Sequence, residues 1–154
     1  MRKRPTPRWI LGCERAGFLA VVVVLTLAVG LPSGAAAKLK LPVERTSPTG
    51  NFFTLEAYVA PTSSKRVANF EMKVCTSKHT PKDTEIDPAL FTLALLHGGS
   101  VAESVSLAKS PAMVPKPLKP LQCTEGWLGF SVPKGKDVSE LEYDYNGTIS
   151  WTVG

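Results

Sequence analysis

Only two histidines occur in 154 residues, His79 and His97, and they form neither a His-x-x-His nor a His-x-x-x-His pair. A zinc centre gathers three or four nitrogen, sulfur or carboxylate ligands, so this spacing supplies none locally. No Cys-x-x-Cys is present, which removes the usual redox dithiol. No Gly-x-Ser-x-Gly elbow exists, and no Ser/His/Asp set stands out. No segment has a long helical period. Acidic residues are missing before Glu14, and charge is missing altogether from Ala16 to Leu31.

Those last two absences define the N-terminus. Arg2, Lys3, Arg4 and Arg8 precede a 16-residue uncharged run, AGFLAVVVVLTLAVGL, and then Pro32-Ser33-Gly34 and Ala35-Ala36-Ala37. A basic region, an apolar helix and a small-residue peptidase site in that order make a secretory signal peptide over residues 1–37. Ala35 and Ala37 form an A-x-A site, with cleavage after Ala37. The competing reading keeps residues 16–31 as a membrane anchor. A spanning helix wants about 20 apolar residues, and this run is shorter and meets Pro32. Cys13 precedes the apolar run, where a lipidated cysteine would follow it.

Removing the leader changes the charge balance. The whole chain carries 18 Lys+Arg and 13 Asp+Glu, net +5. The remaining 117 residues carry 13 and 12, net +1. A nucleic-acid binder concentrates basic charge in a patch, so nucleic acid is not an expected partner. Removal also takes Cys13 and leaves an even pair, Cys75 and Cys123, bound for an oxidising compartment. That setting predicts a Cys75–Cys123 disulfide. Cys75 and His79 have the spacing of a nucleophile and base, and a disulfide would disable them.

The exported part alternates in short runs: 52–60, 66–76, 90–97, 100–107, 126–132, 139–145 and 147–153. In the first, Phe53, Leu55, Ala57 and Val59 share a face. In the second, Ala68, Phe70, Met72 and Val74 share one, with Asn69, Glu71, Lys73 and Cys75 opposite. A period of two marks strands with one buried face. In that register Cys75 points away from the core, so the bridge is expected at the periphery, tying a strand to a loop. Breakers separate the runs at Pro48-Thr49-Gly50, Thr80-Pro81-Lys82-Asp83, His97-Gly98-Gly99 and Pro133-Lys134-Gly135. About seven short strands with such turns predict an all-β, antiparallel β-sandwich. The 100–107 run reads equally as a short helix or loop. Residues 38–49 form an N-terminal arm or edge strand, and 50–154 the domain. Four prolines in 110–121 make an extended loop or edge, because proline lacks a ladder donor.

A resemblance emerges over residues 50–154. The segments PALFTLALLHGG (88–99), CTEGWLGFSVPKG (123–135) and GTISWTV (147–153) resemble a large family of secreted bacterial, actinobacterial-type domains of unknown function, related to the mycobacterial immunoprotective extracellular antigens. The resemblance implies an immunoglobulin-like sandwich and export, with no catalytic residue and no cofactor to carry over. Within the motif, Gly126 is expected to turn the chain into a strand, and Trp127 and Phe130 to give bulk on opposite faces. The chain departs from the family pattern at Cys75-Thr76-Ser77-Lys78.

Three candidate features remain. Asp83, Glu85 and Asp87 alternate, so their carboxylates could converge on a calcium ion, although glycine and carbonyl ligands are not at the usual positions. Tyr143 and Tyr145 share a face with Leu141, either as packing or as a platform for a protein or glycan partner. Asn146-Gly147-Thr148 is a glycosylation acceptor sequence, and Asn-Gly between two strand-like runs predicts a hairpin turn. The leading expectation is a secreted, monomeric, non-enzymatic β-sandwich that binds or displays something at the cell exterior. The alternatives are a tethered extracellular domain and an extracytoplasmic enzyme with a dispersed site built from His79, His97 or the acids at 83–87.

Overall fold

The computed structural model describes residues 39–154. The expected signal peptide, its cleavage residues Ala35 and Ala37, and the alternative anchor over 16–31 lie outside the described residues. Among the described residues no helix is long and apolar enough to cross a membrane.

The described chain is all-β. Its strands are β1 (Val43–Thr46), β2 (Phe52–Val59), β3 (Val67–Cys75), β4 (Thr84–Ile86), β5 (Phe91–Leu95), β6 (Ser100–Ala102), β7 (Lys116–Leu118), β8 (Cys123–Ser131), β9 (Val138–Asp144) and β10 (Thr148–Thr152). The first sheet has the order β1-β2-β3-β8, the second β10-β9-β5-β6, and β4 and β7 form a separate ribbon. Every pairing between these strands is antiparallel. Seven strands fall on the seven alternating runs. The others are the short β1, β4 and β7, whose three or four residues are too few for a period to show. The 100–107 run divides into β6 and a 3₁₀ turn at Val105–Leu107.

Alternation decides which side chains meet. In β3 the residues Ala68, Phe70, Met72 and Val74 are all fully buried. Phe53 of the first sheet packs on Tyr143 of the second at 4.6 Å between ring centroids, and Tyr143 packs on Phe91 at 4.6 Å. Trp151 lies 6.5 Å from Phe53, so the two four-stranded sheets share one aromatic core. The Trp151 indole N–H donates to the Val43 carbonyl at 3.1 Å, which satisfies the one polar group of a buried ring. This contact joins the neighbouring edges β10 and β1. Leu39 and Leu41 pack against the same core just before β1, the edge strand of the first sheet.

The alternation expected for β2 fails halfway. A register shift between Leu55 and Ala57 places Ala57 opposite Glu71 and Tyr58 opposite Phe70. A bulge adds one residue and reverses the facing of those beyond it. Tyr58 therefore stacks on Phe70 at 4.7 Å, while Val59 is exposed. Ala57 and Val59 do not continue the inward face of Phe53 and Leu55.

Gly126 does not start a strand; it sits inside β8. Its role, like that of Gly129, is to let another backbone pass. A Cβ on Gly126 would lie 2.6 Å from the Met113 nitrogen, and one on Gly129 2.4 Å from the Ala108 nitrogen. Glycine within a strand often marks such an approach. The segment 104–113 runs along the free edge of β8 as a strap. Ser104 N–H donates to Gly129 O at 2.8 Å, Trp127 N–H to Pro111 O at 2.9 Å and Met113 N–H to Trp127 O at 2.9 Å. Asn69 holds the same strap from β3, accepting the Lys109 N–H at 3.0 Å. Lys109 then lays its ammonium 4.6 Å over the Trp127 ring. These bonds cover an edge that would otherwise offer open pairing groups.

The expected bridge is present. Cys75 and Cys123 are cross-strand partners on β3 and β8, linked as a disulfide with Cα atoms 4.1 Å apart. Thr76 N–H donates to Gln122 O at 2.9 Å, so the cysteines occupy a non-hydrogen-bonded pair, the closer of the two antiparallel spacings. The bridge is peripheral, as the facing of Cys75 required. It joins two strands of one sheet, however, where a strand and a loop had been expected, because β8 begins at Cys123 rather than near Gly126.

Burial of Tyr143 has a consequence in base. Burial first, then the nearby Tyr145 and Asp87 charges, push its phenol up to about 12. Burial also raises Tyr58. A phenol that holds its proton more tightly when folded costs stability as pH rises above the unfolded value of about 10. Tyrosinate absorbance is therefore expected to rise together with the loss of near-ultraviolet circular dichroism above that pH. Tyr143→Phe should move the alkaline midpoint upward. Full ionisation of all tyrosines without unfolding would contradict this.

Candidate functional site

The acids singled out by spacing do not converge. Asp83 takes φ 64° in the turn before β4, Glu85 is exposed opposite Pro117, and Asp87 caps the 3₁₀ turn at Pro88–Leu90 by accepting the Ala89 N–H at 2.9 Å. Among the described residues no group of three or more His, Cys, Asp or Glu side chains could hold a metal. The calcium reading of Asp83, Glu85 and Asp87 is corrected accordingly: a two-residue period aligns side chains only in continuous strand, and a left-handed residue and a cap interrupt it. His79 is exposed in the turn after β3, and His97 takes φ 65° in the turn between β5 and β6. Cys75 is bonded to Cys123 and is not free to pair with His79.

Tyr143 and Tyr145 do not make one platform. Tyr143 is 2 % exposed and belongs to the core, whereas Tyr145 is 41 % exposed beyond the end of β9. Asn146 and Gly147, at φ 55° and 126°, make the expected turn to β10. Tyr145 borders a pocket of only about 90 Å³ with Thr49, Asn51, Pro81, Thr84 and Asn146. That is small for a ligand site. Its buried Asn51 is already engaged, accepting from the Thr80 hydroxyl at 2.5 Å and donating to the Thr49 hydroxyl at 3.4 Å.

A different place has the chemistry of a site. A groove of about 310 Å³ lies between the 87–89 turn and the segment that carries the strap. Pro88, Ala89, Val105, Met113, Val114 and Pro115 form its apolar walls, and Asp87 and Glu103 bring carboxylates. Val105 and Val114 are 55 % and 54 % exposed, large values for branched apolar side chains. Glu103 follows β6 directly, and the Ser104–Gly129 hydrogen bond fixes the chain beside it. Its Oε1 atom is buried and has no hydrogen-bond partner. Among the described residues it alone is a side-chain polar atom in that condition. Burial is the main influence raising the Glu103 carboxyl above its ordinary value; the Gly129 backbone lowers it in part, and Asp87 raises it further. A desolvated acceptor without a donor is costly, so such an atom calls for an explanation at a functional site.

Neither the spacing of acids nor the aromatic pattern pointed to Glu103. Its neighbours belong to the 100–107 run, which reads as a strand, a short helix or a loop and marks no site. Comparisons of the chain with protein-family models, with curated proteins and with solved structures found no match in any of the three.

Proposed function

We propose that the mature chain is a secreted, monomeric, non-enzymatic binding module with an immunoglobulin-like β-sandwich fold, of the kind found in secreted actinobacterial-type domains. It binds or displays a surface to a protein or glycan at the cell exterior. The groove at Glu103 carries this reading: an apolar hollow with exposed valines and partly buried carboxylates is a recognition feature. The disulfide is compatible with an oxidising compartment, and no nucleophile–base pair is assembled at the groove.

The test is site-specific photocrosslinking on the exported protein, with the photoreactive residue at Val114 and a control on the exposed Lys134. A discrete adduct at Val114 that is missing at Lys134 is expected when the protein is incubated with its producing cells. A hydrolytic activity of the purified protein, abolished by one point change, would overturn the non-enzymatic assignment. Intact mass of the exported form starting at Lys38, with the bond intact, is the companion expectation. A retained leader would replace the secreted reading with the tethered one.

A further inference from the structure

We propose that the Glu103 groove recognises an apolar peptide segment bearing a lysine or arginine, whose cationic head meets the Glu103 carboxylate while its neighbours lie on the valine and proline walls. This rests on the binding reading above and names the ligand chemistry of the same site.

The groove sets the partly buried Glu103 carboxylate, one oxygen of which has no hydrogen-bond partner, against apolar walls. The other charged side chain lining the groove is an acid, Asp87, and no lysine or arginine lines it among the described residues. The groove therefore concentrates negative charge against apolar walls. A donor that is also a cation complements that charge, since charge-assisted hydrogen bonds are the stronger kind. Lysine and arginine supply such a donor, and their aliphatic stems can lie along apolar surface.

Volume and wall chemistry narrow the class further. About 310 Å³ is at the lower end of ligand pockets, enough for one long side chain and part of its neighbours. The lining residues include no aromatic ring. A quaternary ammonium group wants an aromatic cage and donates no hydrogen bond, so choline-like ligands fit poorly. A sugar lacks the positive charge that two carboxylates favour. Val105 and Val114 on the rim suit the apolar residues that flank the cation in a peptide. Cation and apolar flanks together specify a polypeptide partner.

The experiment uses the isotopically labelled exported protein and a blocked Leu-Lys-Leu-Val peptide, followed by amide chemical shifts. Shifts are expected at Ala89, Val105 and Val114. The analogue with norleucine in place of lysine should bind at least about tenfold more weakly, the loss expected when a charge-assisted bond is removed. Glu103→Gln should weaken the lysine peptide to the level of the norleucine analogue. Its own thermal midpoint at neutral pH should be no lower than that of the parent, because it removes a partly buried charge without changing shape. Val105→Ser is a second variant, on the rim and outside the core, expected to weaken both peptides alike.

Binding of the lysine peptide should also fade as pH falls. Protonating a carboxyl held above its ordinary value removes the charge the peptide needs, and Asp87 is the other carboxylate lining the groove. Absence of shifts at the three amides, equal binding by the norleucine analogue, or an unaltered affinity in Glu103→Gln each overturns the cation assignment. If the Val114 crosslink persists in that event, the binding reading stands without it. If the crosslink is also missing, both fall.

Discussion

Replacing Cys75 and Cys123 together by serine is expected to remove on the order of 4 kcal/mol from the folding free energy. The bond closes a loop with a sequence separation of 48, and the chain-entropy relation for that length gives this magnitude. The folded state should change little. The two strands are already paired along Val67–Cys75 and Ser131–Cys123, and the Thr76–Gln122 hydrogen bond closes the end of the ladder. The loss therefore acts through the unfolded chain. Domains of this size are stable by only about 5–15 kcal/mol, so a large part of the total is at stake. Denaturant unfolding followed by tryptophan fluorescence measures it, with the midpoint falling and the native spectrum retained. A change below about 1 kcal/mol would mean that the β3–β8 contact persists when the rest unfolds.

Gly129→Val should cost nearly as much, for the opposite reason. The added Cβ alone would sit 2.4 Å from the Ala108 nitrogen and the Leu107 carbonyl carbon. These are backbone atoms, so no side-chain rotation relieves the overlap, and the strap must lift from β8. We expect a loss of about 3 kcal/mol, the upper end of overpacking. The effect should be local in one respect that distinguishes it from the disulfide variant. The Ser104 N–H that donates to Gly129 O should lose hydrogen-exchange protection, and so should the Lys109 N–H held by Asn69. Because the strap also carries Val105 and Met113, this variant should lose the peptide-binding shifts while the disulfide variant keeps them. Equal stability and retained Ser104 protection would show that the strap has room to shift.

The comparison between these two sites is instructive about what residue patterns reveal. The pairing of Cys75 with Cys123 followed from an even cysteine count once the leader is set aside. The strand position of the bond did not, because where β8 begins depends on which residues of β3 it meets. In β3 the period of two survived intact, since the strand is paired on both sides and its inward face stays in the core. In β2 it survived only to Leu55. A bulge is a relation between two strands, and nothing in the residues 52–59 taken alone calls for one.

The acidic triplet failed for a related reason. Asp83, Glu85 and Asp87 have strand spacing, but only Glu85 lies in a strand. Gly126 of CTEGWLGF reads as a turn former from the chain alone. Gly126 and Gly129 turn out to be clearance for Met113 and Ala108 of an earlier segment, which no local pattern encodes.

What the sequence by itself determined was therefore the set of local preferences: the all-β character, most strand positions, the Asn146-Gly147 turn and the cysteine partnership. Each follows from side-chain alternation, backbone freedom or count, which are properties of short stretches. Tertiary structure alone decided the bulge, the strap over Gly126 and Gly129, and the groove at Glu103. That groove draws on 87–89, 103–105 and 113–115, three stretches that meet only when the sheets and the strap are in place. The buried, unpartnered Glu103 oxygen exists because of that meeting, since burial is a property of the assembled chain and not of glutamate.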